Sequence, residues 1–353
     1  MHIVNIMLAK TGGGIEQAAV DYCEGLRDIG HRVTAIVYPG GWTETQMRAR
    51  GITTEPLFNV SEYDMVAWWR LRRLIKKLAP DAVIAHANRA MGMSSFALKN
   101  RSFPLAGVVN NYSTRRYNRA DAAFTTTYDL MDTLAAQGIP REKIFHIPNM
   151  VRVSELPQRH RRNTPPIIGT MGRFVKKKGF DVYIEALAIL KSRGIPFKAL
   201  LGGSGEEESA LRRLATGKGL EDVLEFIGWV EDRRAFYGSI DVFCLPSLHE
   251  PFGIVLLEAF AHGAPIISSN SEGPKDIITP NYDALIVEKG NAEQLADAME
   301  KLLKDPVLCE KLAANGFAKV KTRYSQEVVS ESITAALKEM ISQGIHAAAR
   351  RME

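Results

Sequence analysis

The sequence predicts an α/β protein made of two consecutive doubly wound domains. The chain has 353 residues, which is enough for two domains of ordinary size. Short β-branched runs alternate with longer amphipathic segments, a pattern typical of β-α-β units around a parallel sheet. The alternation stops once, at residues 150–166, and then restarts. With 46% hydrophobic and 24% charged residues, the composition excludes disordered and fibrous classes.

The first domain is predicted over residues 1–155. Apolar and β-branched runs predict strands at 2–8, 32–38 and 82–85. Apolar residues at helical spacing predict helices at 15–28 and 65–78. Residues 156–166 are rich in arginine and proline and have no period, so they are expected to form a linker.

The second domain is predicted over residues 167–325, where the alternation is more regular. Its predicted strands are 167–171, 197–202, 223–227, 242–245, 265–268 and 284–287. Its predicted helices are 180–192, 206–216, 231–239, 254–262 and 292–303. The remaining segment, 326–353, has a helical pattern but no further strand to cover. We expect a carboxyl-terminal helix that packs across the domain junction and returns toward the first domain.

Positive charge is concentrated in the first half of the chain. Residues 1–162 hold 22 lysines and arginines against 14 acidic residues, whereas the remainder holds 23 against 26. This imbalance indicates an anionic partner, such as a phosphate-bearing substrate, a membrane surface or nucleic acid. No zinc finger, aromatic RNA-binding motif or basic recognition helix accompanies the charge, so nucleic acid is not expected.

Neither a membrane span nor a secretory leader is predicted. The apolar runs fall short of the roughly 20 residues that cross a bilayer. The first ten residues lack the basic region and cleavage site of a signal peptide. We therefore expect a cytoplasmic protein. Its three isolated cysteines favour neither disulfides nor a zinc site and are expected to be buried thiols.

A glycine-rich loop follows the first predicted strand and opens a helix. It reads Lys10-Thr-Gly-Gly-Gly-Ile-Glu-Gln17 and includes Gly13 and Gly14. Glycines let the backbone approach a ligand, and a helix amino terminus offers N–H groups to a phosphate. The alternative is a plain tight turn, because the loop is neither a dinucleotide fingerprint nor a P-loop.

A basic loop, Gly172-Arg-Phe-Val-Lys-Lys-Lys-Gly179, follows the first strand of the second domain. In open α/β sheets, ligands bind at the carboxyl ends of the strands. Arg173 and Lys178 are therefore placed to hold a diphosphate, since arginine supplies a planar fork and lysine a mobile point charge. The alternative is a solvated lysine cluster, which is how we interpret Lys176 and Lys177.

The most specific motif runs from Pro246 to Pro265. It places Glu250 in a loop, begins a helix near Ile254 and puts Glu258 about one turn into that helix. Such a site would suit a nucleotide sugar, because the helix amino terminus would bind its anionic phosphates and the carboxylates would bind its hydroxyl pairs. An acid and base pair, or a helix with incidental glutamates, are the alternatives.

Together these motifs resemble the retaining glycosyltransferases of family four, whose GT-B fold has two facing Rossmann-like domains. The resemblance covers nearly the whole chain and is most specific in the carboxyl half. Further segments in the family's expected order are Pro80-Asp-Ala-Val-Ile-Ala-His86, Leu201-Gly-Gly-Ser-Gly-Glu206, Phe226-Ile-Gly-Trp-Val230 and Gly273-Pro-Lys-Asp-Ile-Ile278.

The resemblance implies roles for the charged residues. Arg173 and Lys178 would bind the donor diphosphate and stabilise it as it leaves. Glu250 would orient the transferred sugar, and His86 would contact that sugar from the opposite domain. Glu258 would bind the ribose diol.

The resemblance also implies that a set of backbone and apolar positions surrounds the donor. Gly13 and Gly14 would pass close to the diphosphate or the acceptor. The remaining donor-binding positions would be Gly203, Trp229, Val230, Phe252, Gly253 and Ile254.

The implied activity is transfer of a hexose from a nucleoside diphosphate sugar to a glycan or lipid-linked acceptor, in bacterial envelope polysaccharide or lipopolysaccharide synthesis. A UDP-sugar is the preferred donor and GDP-mannose the second. The family needs no metal or other cofactor, and this sequence has no Asp-x-Asp motif to hold one. A GT-B sugar-nucleotide epimerase and a non-catalytic nucleotide-sugar or polyanion binder are the alternatives.

The basic segment 65–78 has two interpretations. With Trp68 and Trp69 at one end, it resembles an interfacial helix on an anionic membrane at the inner face. Otherwise it is an ordinary helix of the first domain with a solvated face. Arg115, Arg116 and Arg119 add positive charge to the same domain.

Overall fold

The computed structural model describes residues 1–99, 101–110, 112, 116–154 and 162–349. It contains two compact units. The first comprises Met1–Met150 together with Tyr324–Glu353, and the second comprises Val151–Arg323. Each is built on a parallel sheet with helices on both faces, so the predicted fold class is confirmed. Residues 155–161, most of the predicted linker, lie outside the described residues.

The first unit has seven parallel strands in the order β3-β2-β1-β4-β5-β6-β7. The strands are β1 (His2–Met7), β2 (Arg32–Val37), β3 (Thr53–Pro56), β4 (Ala82–His86), β5 (Leu105–Val109), β6 (Ala122–Thr125) and β7 (Ile144–His146). The helices are α1 (Gly14–Asp28), α2 (Trp42–Ala49), α3 (Met65–Leu78), α4 (Ala87–Ala97) and α5 (Tyr128–Ala136). Because β1, β4 and β5 are covered on both faces, every residue in them is buried.

The second unit has six parallel strands in the order β10-β9-β8-β11-β12-β13. The strands are β8 (Ile167–Met171), β9 (Lys198–Gly202), β10 (Leu224–Gly228), β11 (Val242–Leu245), β12 (Ile266–Ser269) and β13 (Leu285–Val287). The helices are α6 (Phe180–Ser192), α7 (Glu208–Gly217), α8 (Arg233–Ser239), α9 (Ile254–Ala261), α10 (Glu272–Ile277), α11 (Ala292–Lys304) and α12 (Pro306–Lys319).

Each sheet reverses its strand order once, between β1 and β4 in the first unit and between β8 and β11 in the second. At such a switch point the helices that follow the two central strands leave on opposite faces, which opens a crevice at the carboxyl ends of the strands. The loops at these two points are therefore where ligand-binding residues are expected.

The last helix, α13 (Gln326–Ala349), completes the first unit. Its Val329, Ile333 and Leu337 belong to the same core as α1. A Cβ atom at Gly25 would lie 2.1 Å from Ser330 Oγ, so only glycine permits this approach of the two helices. The carboxyl-terminal segment thus returns to the first unit.

The unit boundary falls at Met150, ahead of the predicted end of the first domain. Residues at the end of the predicted linker already pack on the second unit. Arg162 donates to the carbonyl oxygens of Leu302 and Leu303 at 3.1 and 2.6 Å, and the Asn163 amide donates to Asp241 at 2.9 Å. Within the described ranges, no helix combines the length and apolar character needed to cross a membrane.

Candidate active site

The loops after β8 and β11 are joined at the switch point of the second unit. The Lys177 carbonyl accepts the backbone N–H groups of Leu248 and His249 at 2.8 and 3.1 Å. Gly179 has φ of +65°, and a Cβ atom there would lie 2.2 Å from the Pro246 carbonyl oxygen. Glycine is therefore required for the two predicted motifs to meet.

Lys178 and Glu250 form an ion pair across these loops. Lys178 Nζ lies 2.5 Å from Glu250 Oε2, and the Glu250 side chain is 9% exposed. Ser247 Oγ donates to the same carboxylate oxygen at 3.4 Å. In this state the lysine cation neutralises the carboxylate, which would be costly to bury alone.

Glu272, a residue that sequence reasoning missed, fixes the backbone of Glu250. The N–H of Glu250 donates to Glu272 Oε2 at 3.2 Å, and the Glu250 carbonyl accepts the N–H of Gly273 at 2.8 Å. His249 and Lys289 lie 3.2 and 3.4 Å from the other Glu272 carboxylate oxygen. The start of α10 therefore holds the loop that carries Glu250.

Arg173 is exposed, and within the described residues its guanidinium has no hydrogen bond or ion pair. Its loop is nevertheless hydrogen-bonded to the loop that follows β9. Gly172 N–H donates to Gly202 at 2.9 Å and Phe174 N–H donates to Ser204 at 2.8 Å. Gly203 has φ of +142°, and a Cβ atom there would lie 1.9 Å from the Gly172 carbonyl oxygen. Gly203 thus lets the β8 and β9 loops pack, and its contact with a donor remains a prediction.

Glu258 is buried on α9 and already has two partners that the sequence did not indicate. Arg233 forms an ion pair with its carboxylate. Tyr237 Oη, which donates to the Val255 carbonyl at 2.9 Å, also lies 3.4 Å from that carboxylate. Burial raises the pKa of Glu258, and the Arg233 cation partly offsets that rise. Asp232 caps α8 by accepting the Ala235 N–H at 2.8 Å, which fixes the helix that presents both partners.

The other predicted donor-binding positions border the same loops. Gly253 has φ of +95° and begins α9 between Phe252, which is buried, and Ile254. Trp229 follows β10 with its side chain 60% exposed, and Val230 packs beside Gly202. The donor contacts assigned to these residues remain predictions.

His86 ends β4 at the switch point of the first unit and is fully buried. The amide of Asn5 donates to Ala19 O at 3.0 Å and to Cys23 Sγ at 3.1 Å, so Asn5 Oδ1 must accept. It lies 2.8 Å from His86 Nε2, which therefore carries the ring proton. Burial lowers the pKa of His86 to about 3, so the ring is neutral at pH 7.

The other ring nitrogen of His86, Nδ1, has no hydrogen-bond partner within the described residues. His86 lines a cavity of about 550 Å³ at the ends of β1 and β4, together with Lys10 and Arg89. Gly13 and Gly14 begin α1 and do not line this cavity. Sequence reasoning missed Arg89, because a single arginine on a helix carries no signal.

The sequence matches two glycosyltransferase family models. Residues 12–155 match the model described as Glycosyltransferase Family 4, and residues 153–319 match the model described as Glycosyl transferases group 1. Two similar relatives come from Rhizobium meliloti. The lipopolysaccharide core biosynthesis glycosyltransferase LpsE is 31% identical over 340 residues, covering 94% of this chain and 97% of LpsE. The corresponding LpsD is 30% identical over 329 residues, covering 91% and 94%.

Solved structures show the same fold. The crystal structure of Anabaena Alr3699/HepE in complex with UDP and glucose superposes with a TM-score of 0.82 at 18% identity, covering 96% of this chain and 100% of that one. At this identity the likeness concerns the GT-B fold alone.

Proposed function

The chain belongs to the family-four glycosyltransferases, and we propose that it transfers a hexose, with retention of configuration, from a nucleoside diphosphate sugar to a glycan or lipid-linked acceptor. The observation that carries the proposal is the meeting of Arg173, Lys178 and Glu250 at one switch point. The names of the Rhizobium relatives support a place in lipopolysaccharide or envelope polysaccharide synthesis.

In the proposed mechanism the donor diphosphate lies along the loop at 172–179. The exposed Arg173 guanidinium attracts it, and the diphosphate competes with Glu250 for the Lys178 ammonium. Once released, the Glu250 carboxylate accepts hydrogen bonds from the sugar hydroxyls. The ion pair between Lys178 and Glu250 thus becomes two separate contacts with the donor.

Charge develops on the diphosphate as the sugar departs. Cations fixed before the reaction stabilise that charge without reorganising. They therefore stabilise the transition state more than the ground state, and this difference lowers the barrier. The acceptor hydroxyl attacks on the face that the diphosphate leaves, so the new glycosidic bond forms as the sugar–diphosphate bond breaks and the anomeric configuration is retained. The hydroxyl proton passes to the departing diphosphate oxygen, so no protein nucleophile is required. Because the cations come from Arg173 and Lys178, we propose that the reaction needs no metal.

The ribose is proposed to bind at Glu258. Its carboxylate is held by Arg233 and Tyr237, so the diol adds to or displaces an existing contact. The exposed Trp229 and its neighbour Val230 are proposed to flank the base. We propose a UDP-sugar as donor, with support from the UDP and glucose bound to HepE, and GDP-mannose is the alternative that a donor panel distinguishes.

His86 is proposed to orient a sugar rather than to move a proton. Its Nδ1 atom carries no proton and has no partner among the residues that the structure describes, which suits a hydroxyl donor. A pKa of about 3 makes the ring a weak base, so proton abstraction at neutral pH is not its proposed role.

The proposal is tested with two lysines of the same loop. Lys178→Ala should abolish most turnover of the donor, whereas Lys176→Ala should not, because Lys176 is exposed and pairs with Asp181. The assay follows transfer to a lipid-extracted glycan acceptor and donor loss in its absence. Equal activities of the two variants would refute the assigned site. Donor isomerisation without acceptor would indicate the epimerase, and binding without turnover the non-catalytic protein.

We further propose that the first unit binds an anionic membrane surface. Five apolar side chains at residues 60–69 are between 59% and 75% exposed: Val60, Tyr63, Met65, Val66 and Trp69. Exposed basic residues continue along α3, including Arg70, Arg73 and Lys76. Trp68 does not belong to this surface, because it stacks on Phe96 with ring centroids 5.0 Å apart.

The three arginines predicted to add charge contribute differently. Arg116 is engaged by Glu62, Arg119 lies over the Phe96 ring at 4.5 Å, and Arg115 lies outside the described residues. Flotation with vesicles tests the membrane proposal. Anionic vesicles should bind the protein and Trp69→Ser should weaken that binding, whereas Val307→Ser in the second unit should not, although Val307 is even more exposed. Equal binding to neutral and to anionic vesicles would refute the membrane proposal.

A further inference from the structure

The cavity of about 550 Å³ in the first unit lies within the range of small-molecule sites, roughly 300–1,000 Å³. It opens where β1, β2 and β4 end. Tyr38 and Phe58 form an aromatic wall, with ring centroids 5.7 Å apart. Such a wall suits the apolar face of a sugar ring.

Among the described residues, the cavity is lined by two cations, Lys10 and Arg89, and by no carboxylate. The Lys10 ammonium lies 4.9 Å above the Tyr38 ring, which positions the charge without neutralising it. Arg89 stands in the first turn of α4, and no ion pair engages it within the described residues. The carboxylate of Glu62, which acts on Arg89 electrostatically, is already held by Arg116. The cavity therefore carries uncompensated positive charge.

Two buried atoms at the cavity are hydrogen-bond acceptors without a donor. They are His86 Nδ1 and Asn59 Oδ1, and neither has a partner within the described residues. Both side chains are at least 98% buried, with exposures of 0% and 2%. A buried acceptor left unpaired costs free energy, so these atoms indicate a ligand that brings hydroxyl donors.

We propose that this cavity binds an anionic sugar unit of the acceptor, a ring bearing a phosphate or carboxylate. Lys10 and Arg89 hold the anionic group, while Asn59 Oδ1 accepts a ring hydroxyl. The inference rests on the proposed function, since it names the class of acceptor that a glycosyltransferase with this first unit selects. The cavity would distinguish this anionic sugar from neutral sugars and from free anions by its charge and by its hydroxyl hydrogen bonds together.

The experiment measures dissociation constants of small probes by titration calorimetry with the full chain. Saturating UDP is present throughout, so that the diphosphate site of the second unit is occupied. The probes are glucose 6-phosphate, glucuronate, glucose and inorganic phosphate. We expect at least one anionic sugar to bind about tenfold more tightly than both glucose and inorganic phosphate.

Lys10→Met and Arg89→Gln should each weaken that anionic sugar about tenfold and leave UDP affinity unchanged. Lys143→Met, an exposed lysine away from the cavity, is the matched control and should change nothing. Equal affinity for glucose and the anionic sugars would overturn the inference, as would inorganic phosphate binding as tightly as the sugars. Absence of binding by both UDP and GDP in the same samples would overturn the proposed function, and the inference with it.

Discussion

Removing Lys178 should damage both the fold and the activity, and the two effects can be separated. Lys178→Met leaves the Glu250 carboxylate buried without its cation. Breaking a fully buried pair costs roughly 3–5 kcal/mol, but Lys178 is 21% exposed and solvent screens part of the charge. We therefore expect a loss of about 2 kcal/mol in the free energy of unfolding of the second unit.

That loss corresponds to a melting temperature lower by roughly 4–8 °C for a domain of this size. The double variant Lys178→Met/Glu250→Gln removes both charges and should recover most of the stability. Turnover should not recover, because the diphosphate still lacks its cation. We expect both variants to lose about 10²–10³-fold in turnover.

The double-mutant cycle compares four proteins: the wild type, Lys178→Met, Glu250→Gln and the double variant. Differential scanning calorimetry measures their stability, and a donor-turnover assay measures their activity. Recovery of activity in the double variant would show that Lys178 acts only by neutralising Glu250. Failure of the double variant to recover stability would refute the electrostatic reasoning.

Three further predictions concern the pH dependence and the loops. A pKa of about 3 for His86 means that stability is complete above pH 6.5 and falls below it. Chemical denaturation of the wild type at pH 7 and 5 should differ by about 2 kcal/mol more than that of His86→Gln, and equal differences would contradict this account. For Glu258 the direction is opposite. Its pKa is raised in the folded protein, so the stability that protonation of this carboxyl contributes is lost as the pH rises through that pKa. Glu258→Gln should therefore flatten the dependence of stability on pH in that range. Gly203→Ala should force the β8 and β9 loops apart, so calorimetry should show destabilisation and titration weaker UDP binding, whereas the solvent-open Gly217→Ala should show neither.

Most of the second unit was predicted closely because its elements have regular patterns, but the helices α10 and α12 were not predicted. The helix predicted at 180–192 and the strands at 167–171 and 242–245 have the observed bounds. The predicted buried thiols are confirmed for all three cysteines.

The first unit was predicted less completely. β3 is short, polar and only partly buried, so it lacks the alternation of a strand. α4 is buried around most of its circumference and therefore shows no helical period. Hydrophobic periodicity arises when one face of an element is buried and the other is exposed to solvent. An element without this contrast therefore shows no period and is missed.

At the candidate site, motif spacing singled out Arg173, Lys178, Glu250 and Glu258, but not Arg233 and Tyr237, which contact Glu258. Arg233 lies 25 residues before Glu258 in the chain, and its pairing follows from how α8 and α9 pack. The same holds for the partner of His86, which is 81 residues away at Asn5. Contacts of this kind depend on tertiary structure, so no local sequence pattern predicts them.

The most direct test of nucleotide-sugar binding is a thermal-shift panel in the presence of EDTA. UDP, GDP, ADP, their sugar conjugates and NAD are each added to the wild type and to Arg173→Gln. One nucleoside diphosphate and its sugar conjugate should stabilise the wild type, by about 2.7 kcal/mol at 100 times the dissociation constant, and the variant much less. Stabilisation by NAD alone, or by none of these ligands, would contradict the account.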